Sequence, residues 1–533
     1  MKRKPAVPVF KPYVMNQPHL MPPSLDELIN EHHLVRVVNQ VIDKLDLKTV
    51  VGRYRGGGTS SYHPQMLLKV LVYAYTQKIY SSRRIARALR ENIHFMWLSG
   101  GNQPDFRMIN DFRGSRMKGV IEAVFGEVLD HLVETGHVKL EHYFVDGTKI
   151  EADANKYKVV WAKRTKRYQE RVREQIADLL KQIKQVNADE QATYGDADLE
   201  ERGEAGQADL NAEQLQQRIN DFNQRLRDSQ ASASELEPER SAARQALKKL
   251  EQDCVPRLEK YEQQTETLAG RSSYSKTDPD ASCMRMKEDR GAEKPWPKPA
   301  YNVQLGTEGQ FIVGFSVHGR AGDTACLIPH LEQVRQSQGR LPQKIVTDAA
   351  YGSEENYAYL ERYGAGNFLK YNTFFQDTHH HRKPGVVRAH QFRAEHFRCD
   401  PATDHFICPA NQRLHYVSTT HQTTDNGYET ERRIYACQNC AECPLKAECT
   451  RAKGNRQIRI SFRLLDYRRQ ARHNLTSAEG QHLRAARSTE VETVFGHIKH
   501  NQGFRRFHLR GRDKVNTEWG LMSIAHNMQK LAA

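Results

Sequence analysis

The sequence predicts an α/β protein with a mixed β-sheet, preceded by a helical region and interrupted by two insertions. Outside the insertions the predicted order is strand, hairpin, helix, strand, helix, strand, helix. One insertion carries heptads rich in Gln, Glu, Lys and Arg, which indicate a coiled coil. The other is basic and contains closely spaced cysteines. We place the successive regions at 1–137, 138–164, 165–272, 273–373, 374–465 and 466–533.

The chain of 533 residues is basic, with 80 Lys and Arg against 65 Asp and Glu. A polyanion is the natural partner for this surplus, because cationic side chains release the counterions condensed on phosphates. A solvated basic surface is the alternative. The sequence lacks an apolar run of the roughly 18 residues that a membrane span needs, and its basic N-terminus lacks the apolar segment of a signal peptide. We therefore expect no membrane partner, a cytoplasmic location, and cysteines that are reduced or metal-bound.

The helical region is predicted over residues 24–137, and residues 1–23 are expected to be extended. A capping box of Ser24 and Glu27 predicts that the first helix starts at Ser24. The later segment SSRRIARALREN predicts a helix with cationic residues beside an apolar stripe. This pattern suits a helix lying along DNA and also an ordinary surface helix. The candidate DNA contacts here are Arg83, Arg84 and Arg87.

Two predicted strands lead into an aspartate. HYFV precedes Asp146, with Gly147 as the expected strand end, and KIVT precedes Asp348. Between them, YNVQLGT and QFIVGFSVHG are separated by EG, which predicts a hairpin. Strand ends in α/β sheets are where ligand sites form, and adjacent carboxylates repel unless a cation lies between them. The order of elements also matches a ribonuclease-H-like catalytic domain.

A third acid is expected from the C-terminal helix STEVETVFGHIKHN. Glu492 borders the apolar stripe of this helix, whereas Glu490 lies well round from it. Together with the two aspartates, Glu492 would complete a two-metal site, because Mg²⁺ prefers oxygen ligands and leaves places for substrate phosphates. Glu151 and Asp153 follow Asp146 closely but find no such partners in the sequence.

The insertion at 165–272 carries two runs of apolar residues that step by 4 and 3. We expect an antiparallel helical hairpin, with a further helix that returns and that Pro256 ends or kinks. We hypothesise that the apolar seam mediates dimerisation. The seam residues are Val172, Ile176, Leu179, Ile183 and Val186 in one run, and Leu215, Ile219, Phe222 and Leu226 in the other.

The second insertion contains CQNCAECPLKAEC. The C-x2-C spacing lets thiolates surround a tetrahedral Zn²⁺, which would be structural. The repeated spacing also resembles part of an iron–sulfur pattern, and unmetallated thiols are a third alternative. The favoured zinc ligands are Cys437, Cys440 and Cys443, together with either Cys408 or Cys449.

Several motifs resemble those of DDE transposases from bacterial insertion sequences: FVDGTKIEADANKY, SKTDPDA, YNVQ, IVTDAAYGS and RSTEVETVFGHIKHNQGFRRFHLRG. Within the insertion-sequence-4/5-like superfamily, the chain most resembles the insertion sequence 1182 family. The resemblance implies that Asp146, Asp348 and Glu492 are the catalytic metal ligands. Lys499 matches the lysine of the superfamily's signature around the final acid. Arg487 precedes Glu492 by one residue more than the usual spacing.

The resemblance implies metal-dependent DNA cleavage and strand transfer, with two Mg²⁺ or Mn²⁺ ions per site. It further implies double-stranded DNA as partner (terminal inverted repeats and target), a homodimer on DNA and association with the nucleoid. A nuclease on the same scaffold and a catalytically inactive or domesticated DNA-binding protein are the alternatives. The candidate phosphate contacts in the C-terminal part are Arg487, Lys499, Arg505, Arg506 and Arg510.

Overall fold

The computed structural model describes residues 24–54, 61–194, 210–228, 237–291, 296–378 and 391–533. Residues 1–23, which we expect to be extended, lie outside this part of the chain. In the helical region the elements are α1 (Leu34–Lys44), α2 (Lys48–Val51), α3 (Pro64–Thr76), α4 (Ser82–Glu91), α5 (Ile93–Ser99), α6 (Phe106–Asp111) and α7 (Ile121–Glu134).

The prediction that the first helix starts at Ser24 is wrong. The Glu27 amide does donate to the Ser24 hydroxyl at 3.3 Å, but the segment up to His33 forms turns. The Arg36 guanidinium donates to three carbonyl oxygens of these turns and holds them against α1. The N-cap of α1 is His33, whose ring accepts from an amide of the first turn. A local capping motif is thus overridden by contacts that arise later in the chain.

The strands of the α/β part follow. In chain order they are β1 (His142–Glu151), β2 (Val159–Trp161), β3 (Ser273–Ser275), β4 (Ser282–Met284), β5 (Lys298–Glu308), β6 (Phe311–His318), β7 (Lys344–Thr347) and β8 (Gly366–Leu369).

The central sheet is mixed, as expected. Its order is β6–β5–β1–β7–β8. The short strand β4 also pairs with β5. The strand β5 is antiparallel to both of its neighbours, β6 and β1, and β5 and β6 form the predicted hairpin. The strands β1, β7 and β8 are parallel. Parallel strands lie in the middle of the sheet and towards one edge, so their carboxyl ends point to one side.

The strand β1 does not end at Asp146 and Gly147, contrary to the prediction. Its pairing with β7 stops at Val145, but its pairing with β5 continues to the end of β1. Glycine is needed because a Cβ at position 147 would lie 2.3 Å from the Gln304 side-chain amide. Asp146 therefore lies where the parallel part of the sheet ends while its own strand continues.

The first insertion forms a helical bundle. Its helices are α8 (Ala162–Tyr194), α9 (Ala212–Asp228), α10 (Glu237–Lys249) and α11 (Val255–Leu268). The strands β2 and β3 pair where the chain leaves and returns. Pro256 lies in the first turn of α11, after a π turn that joins it to α10, so it modifies the helix without ending the helical segment.

The seam of this bundle is filled within the chain. Apolar residues of α10 and α11, including Leu247 and Leu258, share its core. The heptad positions therefore require no second chain, which removes the motivation for dimerisation through them. The side chains of Val186 and Leu226 lie outside the described residues. The buried seam residues are Val172, Ile176, Leu179, Ile183, Leu215 and Ile219.

Between β6 and the second insertion the helices are α12 (Leu327–Gln338), α13 (Glu354–Arg362) and α14 (Phe374–Thr378). Ser353 caps α13, with its hydroxyl accepting from the amide of Asn356.

The second insertion is an antiparallel sheet of five strands in the order β13–β12–β11–β10–β9. Two side chains of this insertion and its exit, Tyr428 and Ser461, donate hydroxyl hydrogen bonds to Glu354 of α13. The elements are β9 (Arg398–Asp400), β10 (His405–Ile407), β11 (Arg413–Thr423), β12 (Glu429–Cys437), α15 (Lys446–Cys449) and β13 (Gln457–Ile460).

The C-terminal helices are α16 (Phe462–Thr476), α17 (Ala478–Arg487), α18 (Thr493–Gly496) and α19 (Arg512–Leu531). The last of these is buried nearly all round, between β6 and helices of the N-terminal region. Its Glu518 is fully buried and accepts from the Tyr75 hydroxyl and from the amides of His508 and Leu509. The helical region and the central sheet thus share one hydrophobic core. None of the helices in the described part of the chain is long and apolar enough to cross a membrane.

A chain of buried hydrogen bonds lies behind β1. The Tyr143 hydroxyl bonds one ring nitrogen of His330 at 2.8 Å, and the other nitrogen bonds Ser316 at 2.8 Å. Ser316 also bonds His318 at 2.7 Å. Burial lowers the pKa of His330 to about 3 and that of His318 to about 4, so both rings are neutral in the folded protein.

Lowering the pH from about 6.5 to 4.5 should therefore destabilise the wild-type chain more steeply than a His330→Gln variant. In this range the unfolded chain, whose histidine has the ordinary pKa of 6.5, takes up a proton that folded His330 excludes. The difference in slope should approach about 1.4 kcal/mol per pH unit. Urea unfolding followed by circular dichroism measures it.

The exposed His482 gives the matched control, and His482→Gln should keep the wild-type slope. Asp146, whose pKa is raised, contributes a slope of opposite sign, but equally in all three proteins. Equal slopes for the wild type and His330→Gln would contradict a neutral His330.

Candidate active site

Three carboxylates from distant segments meet at one guanidinium. Arg487 Nη2 lies 3.3 Å from Asp146 Oδ2 and 4.0 Å from Asp348 Oδ2. Arg487 Nη1 lies 3.1 Å from Glu492 Oε1. The acids come from β1, from the turn after β7 and from the helical segment after α17. The structure therefore brings together the three acids that the sequence singles out, around a cation that the sequence does not assign to them.

The three acids differ in burial, and this decides their electrostatics. The Asp146 side chain is 11% exposed, against 39% for Asp348 and 54% for Glu492. Burial raises the pKa of Asp146 to about 6, against the lowering effects of Arg487 and Lys287. At neutral pH Asp146 is therefore mostly ionised, and its buried charge needs a cation nearby.

The helical segment that carries Glu492 contains a π turn at Ser488–Glu492. In a π turn the hydrogen bond spans five residues, so one more residue fits into the turn than in an α-helix. Arg487 and Glu492, five positions apart, therefore hydrogen-bond to each other.

A polar layer of β5 lies against Gly147, the residue after Asp146. Gln304 lies opposite Gly147 in the sheet, donates to Asp323 at 3.2 Å and accepts from the Tyr351 hydroxyl. Asn302 also donates to Asp323, at 2.7 Å. Sequence reasoning assigned no role to these side chains. The motif YNVQ was the available signal, since its alternate residues, Asn302 and Gln304, face one side of the strand.

Two further cations that sequence reasoning missed act on the site. Lys287 lowers the pKa of Asp146 through its charge. Lys370, which follows β8, interacts with both Asp348 and Arg487, and burial lowers its pKa. Neither lysine belongs to a sequence motif that indicates a role in the site. Their proximity to the acids arises only when the sheet forms.

The acids fit a divalent cation by the chemistry of their atoms. All three offer only carboxylate oxygens, the ligands that Mg²⁺ and Mn²⁺ prefer. Arg487 already occupies the cationic position between them, so its guanidinium stands in for a metal charge. Among the residues that the structure describes, no three His, Cys, Asp or Glu side chains are already grouped to hold a metal ion. An ion would have to displace Arg487 and draw the carboxylates together.

The basic segment after this helix docks on the end of β1. The Glu151 amide donates to the Arg505 carbonyl oxygen, and the backbones at Glu151 and Arg506 form a bridge. The Asp153 carboxylate pairs with Arg506 and Arg510, each at 2.9 Å. Asp153, which found no partner in the sequence, thus holds two predicted phosphate contacts whose side chains remain about half exposed, 51% and 56%.

Lys499 does not share the exposed face of Glu492. It is buried and pairs with Glu288 at 2.9 Å. In a regular α-helix residues 492 and 499 would lie two turns apart on one face, but a second π turn at His497–Asn501 changes this periodicity. Glu490, the weaker candidate for the third acid, accepts from the amide of Gln310 in the β5–β6 turn and so has a structural partner.

The predicted DNA contacts of α4 lie on the surface, while Ile85 and Leu89 of the same helix are buried. Arg83 stacks on the Phe106 ring, at 5.0 Å from its centroid. Arg87 pairs with Glu91 of the next turn at 3.6 Å. The exposed arginines of α4 are Arg83, Arg84, Arg87 and Arg90.

The clustered cysteines meet around one cavity of about 20 Å³. They come from the end of β10, from the end of β12 and from the loop that contains α15. Burial, reinforced by the neighbouring Cys440, raises the pKa of Cys437 to about 11. The cysteines that line the cavity are Cys408, Cys437, Cys440, Cys443 and Cys449.

Replacing Arg487 with alanine should increase the stabilisation that Mg²⁺ gives to the protein. The variant leaves three facing carboxylates without their cation, so Mg²⁺ binds without displacing a guanidinium. We expect the Tm rise in millimolar Mg²⁺ to exceed that of the wild type by about 2 °C, measured by differential scanning fluorimetry. In the control Arg484→Ala, which removes a guanidinium stacked on Phe374, the response should stay at the wild-type level. The same response in Arg487→Ala and wild type would contradict this role of Arg487.

Two family models match parts of the chain. One, described as a Transposase DDE domain, matches residues 407–532, and the other, described as a Transposase domain (DUF772), matches residues 23–115. The first includes Glu492 but neither aspartate of the site, and the second covers α1 to α6. No curated protein and no solved structure matches the chain significantly. The two matches indicate a transposase of the insertion-sequence-4/5-like type.

Proposed function

We propose that this chain is a DDE transposase, resembling the insertion sequence 1182 family, that cleaves DNA at insertion-sequence ends and joins those ends to target DNA. Asp146, Asp348 and Glu492 are the proposed catalytic residues, holding two Mg²⁺ or Mn²⁺ ions. The observation that carries the proposal is that these three acids, far apart in sequence, meet at one cation. The order β6–β5–β1–β7–β8 supports a ribonuclease-H-like catalytic domain.

When bound, the metal ions would activate water or a DNA 3′-hydroxyl and stabilise the leaving oxygen. Asp146 supplies the innermost carboxylate, fixed by its strand and by the hydrogen bond from the Gly147 amide. Asp348 and Glu492 are more exposed and face the side from which DNA would approach.

Arg487 is placed to exchange partners when DNA binds. Its Nε is buried and lacks a hydrogen-bond acceptor among the described residues. A buried unpaired donor is costly, and a phosphate oxygen would satisfy it. In the proposal, a guanidinium released by the carboxylates binds the DNA backbone near the scissile phosphate.

A wider DNA surface is proposed from the exposed arginines of α4 and from Arg505, Arg506 and Arg510. Lys499 contributes to it only if its pair with Glu288 opens. A transposase must hold two DNA ends at once, so we retain a homodimer on DNA in the proposal. Its contact would lie outside the helical bundle, because the seam of that bundle is filled internally.

The variants Asp146→Asn, Asp348→Asn and Glu492→Gln should each reduce cleavage by more than about a hundredfold while DNA binding persists. Each change keeps the side-chain volume but removes a charge that a metal ion requires. The assay incubates the full chain with Mg²⁺ and DNA carrying the ends that flank its gene. Glu490→Gln is the matched control from the same turn and should retain activity. Full activity in any one of the three variants would remove that residue from the proposed site.

The products of the wild-type reaction separate the alternatives. Cleavage followed by joining to target DNA supports a transposase. Cleavage without joining would favour a nuclease on the same scaffold, and binding without cleavage would favour an inactive or domesticated DNA-binding protein. Gel analysis of end-labelled DNA distinguishes the three results.

The double variant Arg84→Ala/Arg87→Ala should weaken DNA binding and flatten its salt dependence. Each lost phosphate contact should lower the slope of log K against log salt by about one. Fluorescence anisotropy at several salt concentrations measures this slope. Arg244→Ala, an exposed arginine of the helical bundle, is the control and should leave the slope unchanged. An unchanged slope in the double variant would show that α4 does not contact the DNA.

A further inference from the structure

The second insertion has little apolar material with which to hold its fold. Most side chains of β11 are exposed, and two of the buried core positions are themselves cysteines. Small sheets with so few buried apolar residues usually need a disulfide or a metal ion to fold stably. The buried core residues are Phe397, Phe406, Leu414, Tyr435, Cys437, Cys440, Ile458 and Ile460.

The cysteines lie where such a cross-link would act. The loop between β12 and β13 has only the single helical turn α15 as regular structure. Cys440, Cys443 and Cys449 belong to this loop, while Cys408 follows β10 on the other side of the cavity. Bonds from these sulfurs to one metal ion would attach the β12–β13 loop to the end of β10.

Hydrogen bonds divide the thiols into two kinds. Cys408 Sγ accepts from the Gln412 amide at 3.3 Å, and Cys440 Sγ accepts from the Arg456 amide at 3.4 Å. Amide donors directed at sulfur stabilise a thiolate, the form that binds metal. The buried Cys437 Sγ instead has a carbonyl oxygen, that of Asn439, as its hydrogen-bond partner at 3.6 Å.

The cavity also limits what can bind. At about 20 Å³ it suits one ion better than an iron–sulfur cluster, which has several metal and sulfide atoms. The sulfurs are not yet at ligand distance from a common point, so binding would draw them inward by side-chain rotation. A single tetrahedral ion with thiolate preference matches this volume.

We propose that Cys408, Cys440, Cys443 and Cys449 bind one structural Zn²⁺, with Cys437 as a buried thiol beside the site. The ion fixes the β12–β13 loop and with it the position of the whole sheet. That sheet reaches the central α/β part through Tyr428 and Ser461, whose hydroxyls donate to Glu354 at 3.2 and 2.7 Å. Glu354 begins α13, shortly after the turn that holds Asp348, so the zinc-bound sheet is a positioning element for that turn.

The test measures metal in the purified full chain, independently of any reaction on DNA. Plasma mass spectrometry should find about one zinc per chain, and X-ray absorption should find four sulfur neighbours at about 2.3 Å. The single variants Cys408→Ser, Cys440→Ser, Cys443→Ser and Cys449→Ser should each lose most of the zinc. Cys437→Ser should keep it, as should Cys399→Ser, which changes an exposed cysteine of the same sheet.

Absence of zinc, or iron accompanied by visible absorption, would overturn the proposal. Loss of zinc in Cys437→Ser with retention in Cys449→Ser would overturn the assigned ligands. If the serine variants do not fold, the absorption spectrum of the wild type still decides, because fewer than four sulfur neighbours is incompatible with the site. None of these results bears on the acids around Arg487, so the proposed transposase function stands or falls separately.

Discussion

Repulsion between Asp146, Asp348 and Glu492 is the constraint that organises the centre of this protein. Three carboxylates at one place are stable only with a cation among them, and Arg487 supplies it in the structure. The burial of Asp146 sharpens the requirement, since a charge removed from water cannot be screened by solvent. Lys287 and Lys370, which act on these acids through their charges, contribute to the same electrostatic balance.

The surrounding fold keeps these acids in place by joining distant parts of the chain. The buried helix α19 packs on β6 with one face and on the N-terminal helices with another. Glu518 binds Tyr75 of α3 together with two amides of the preceding loop, so a single carboxylate links the first and last regions. The docked loop of Arg505 and Arg506 closes the far end of β1. Both insertions leave this core intact, because each has a hydrophobic cluster of its own.

Patterns local in sequence predicted the elements well, and long-range partners decided what those patterns could not. The hairpin of β5 and β6 follows from residues close together, and the alternation of strands and helices along the chain predicted the mixed sheet. The end of β1 was misplaced because its partner β5 comes more than a hundred residues later. The heptads correctly predicted helices but not that their seam is filled by α10 and α11. The ion pairs of Asp153 and Lys499 could not be predicted from the sequence either, because only folding brings their distant partners close.

The π turn before α18 carries a consequence for how this site could change state. A π turn differs from an α turn by one residue, so converting it would rotate the following segment by about 100° about the helix axis. Glu492 would then swing away from Arg487 while Asp146 and Asp348 stayed on the sheet. The acid cluster therefore depends on the hydrogen-bond pattern of a single helical turn, and the buried Val494, Phe495 and Ile498 that follow hold this turn in its π form.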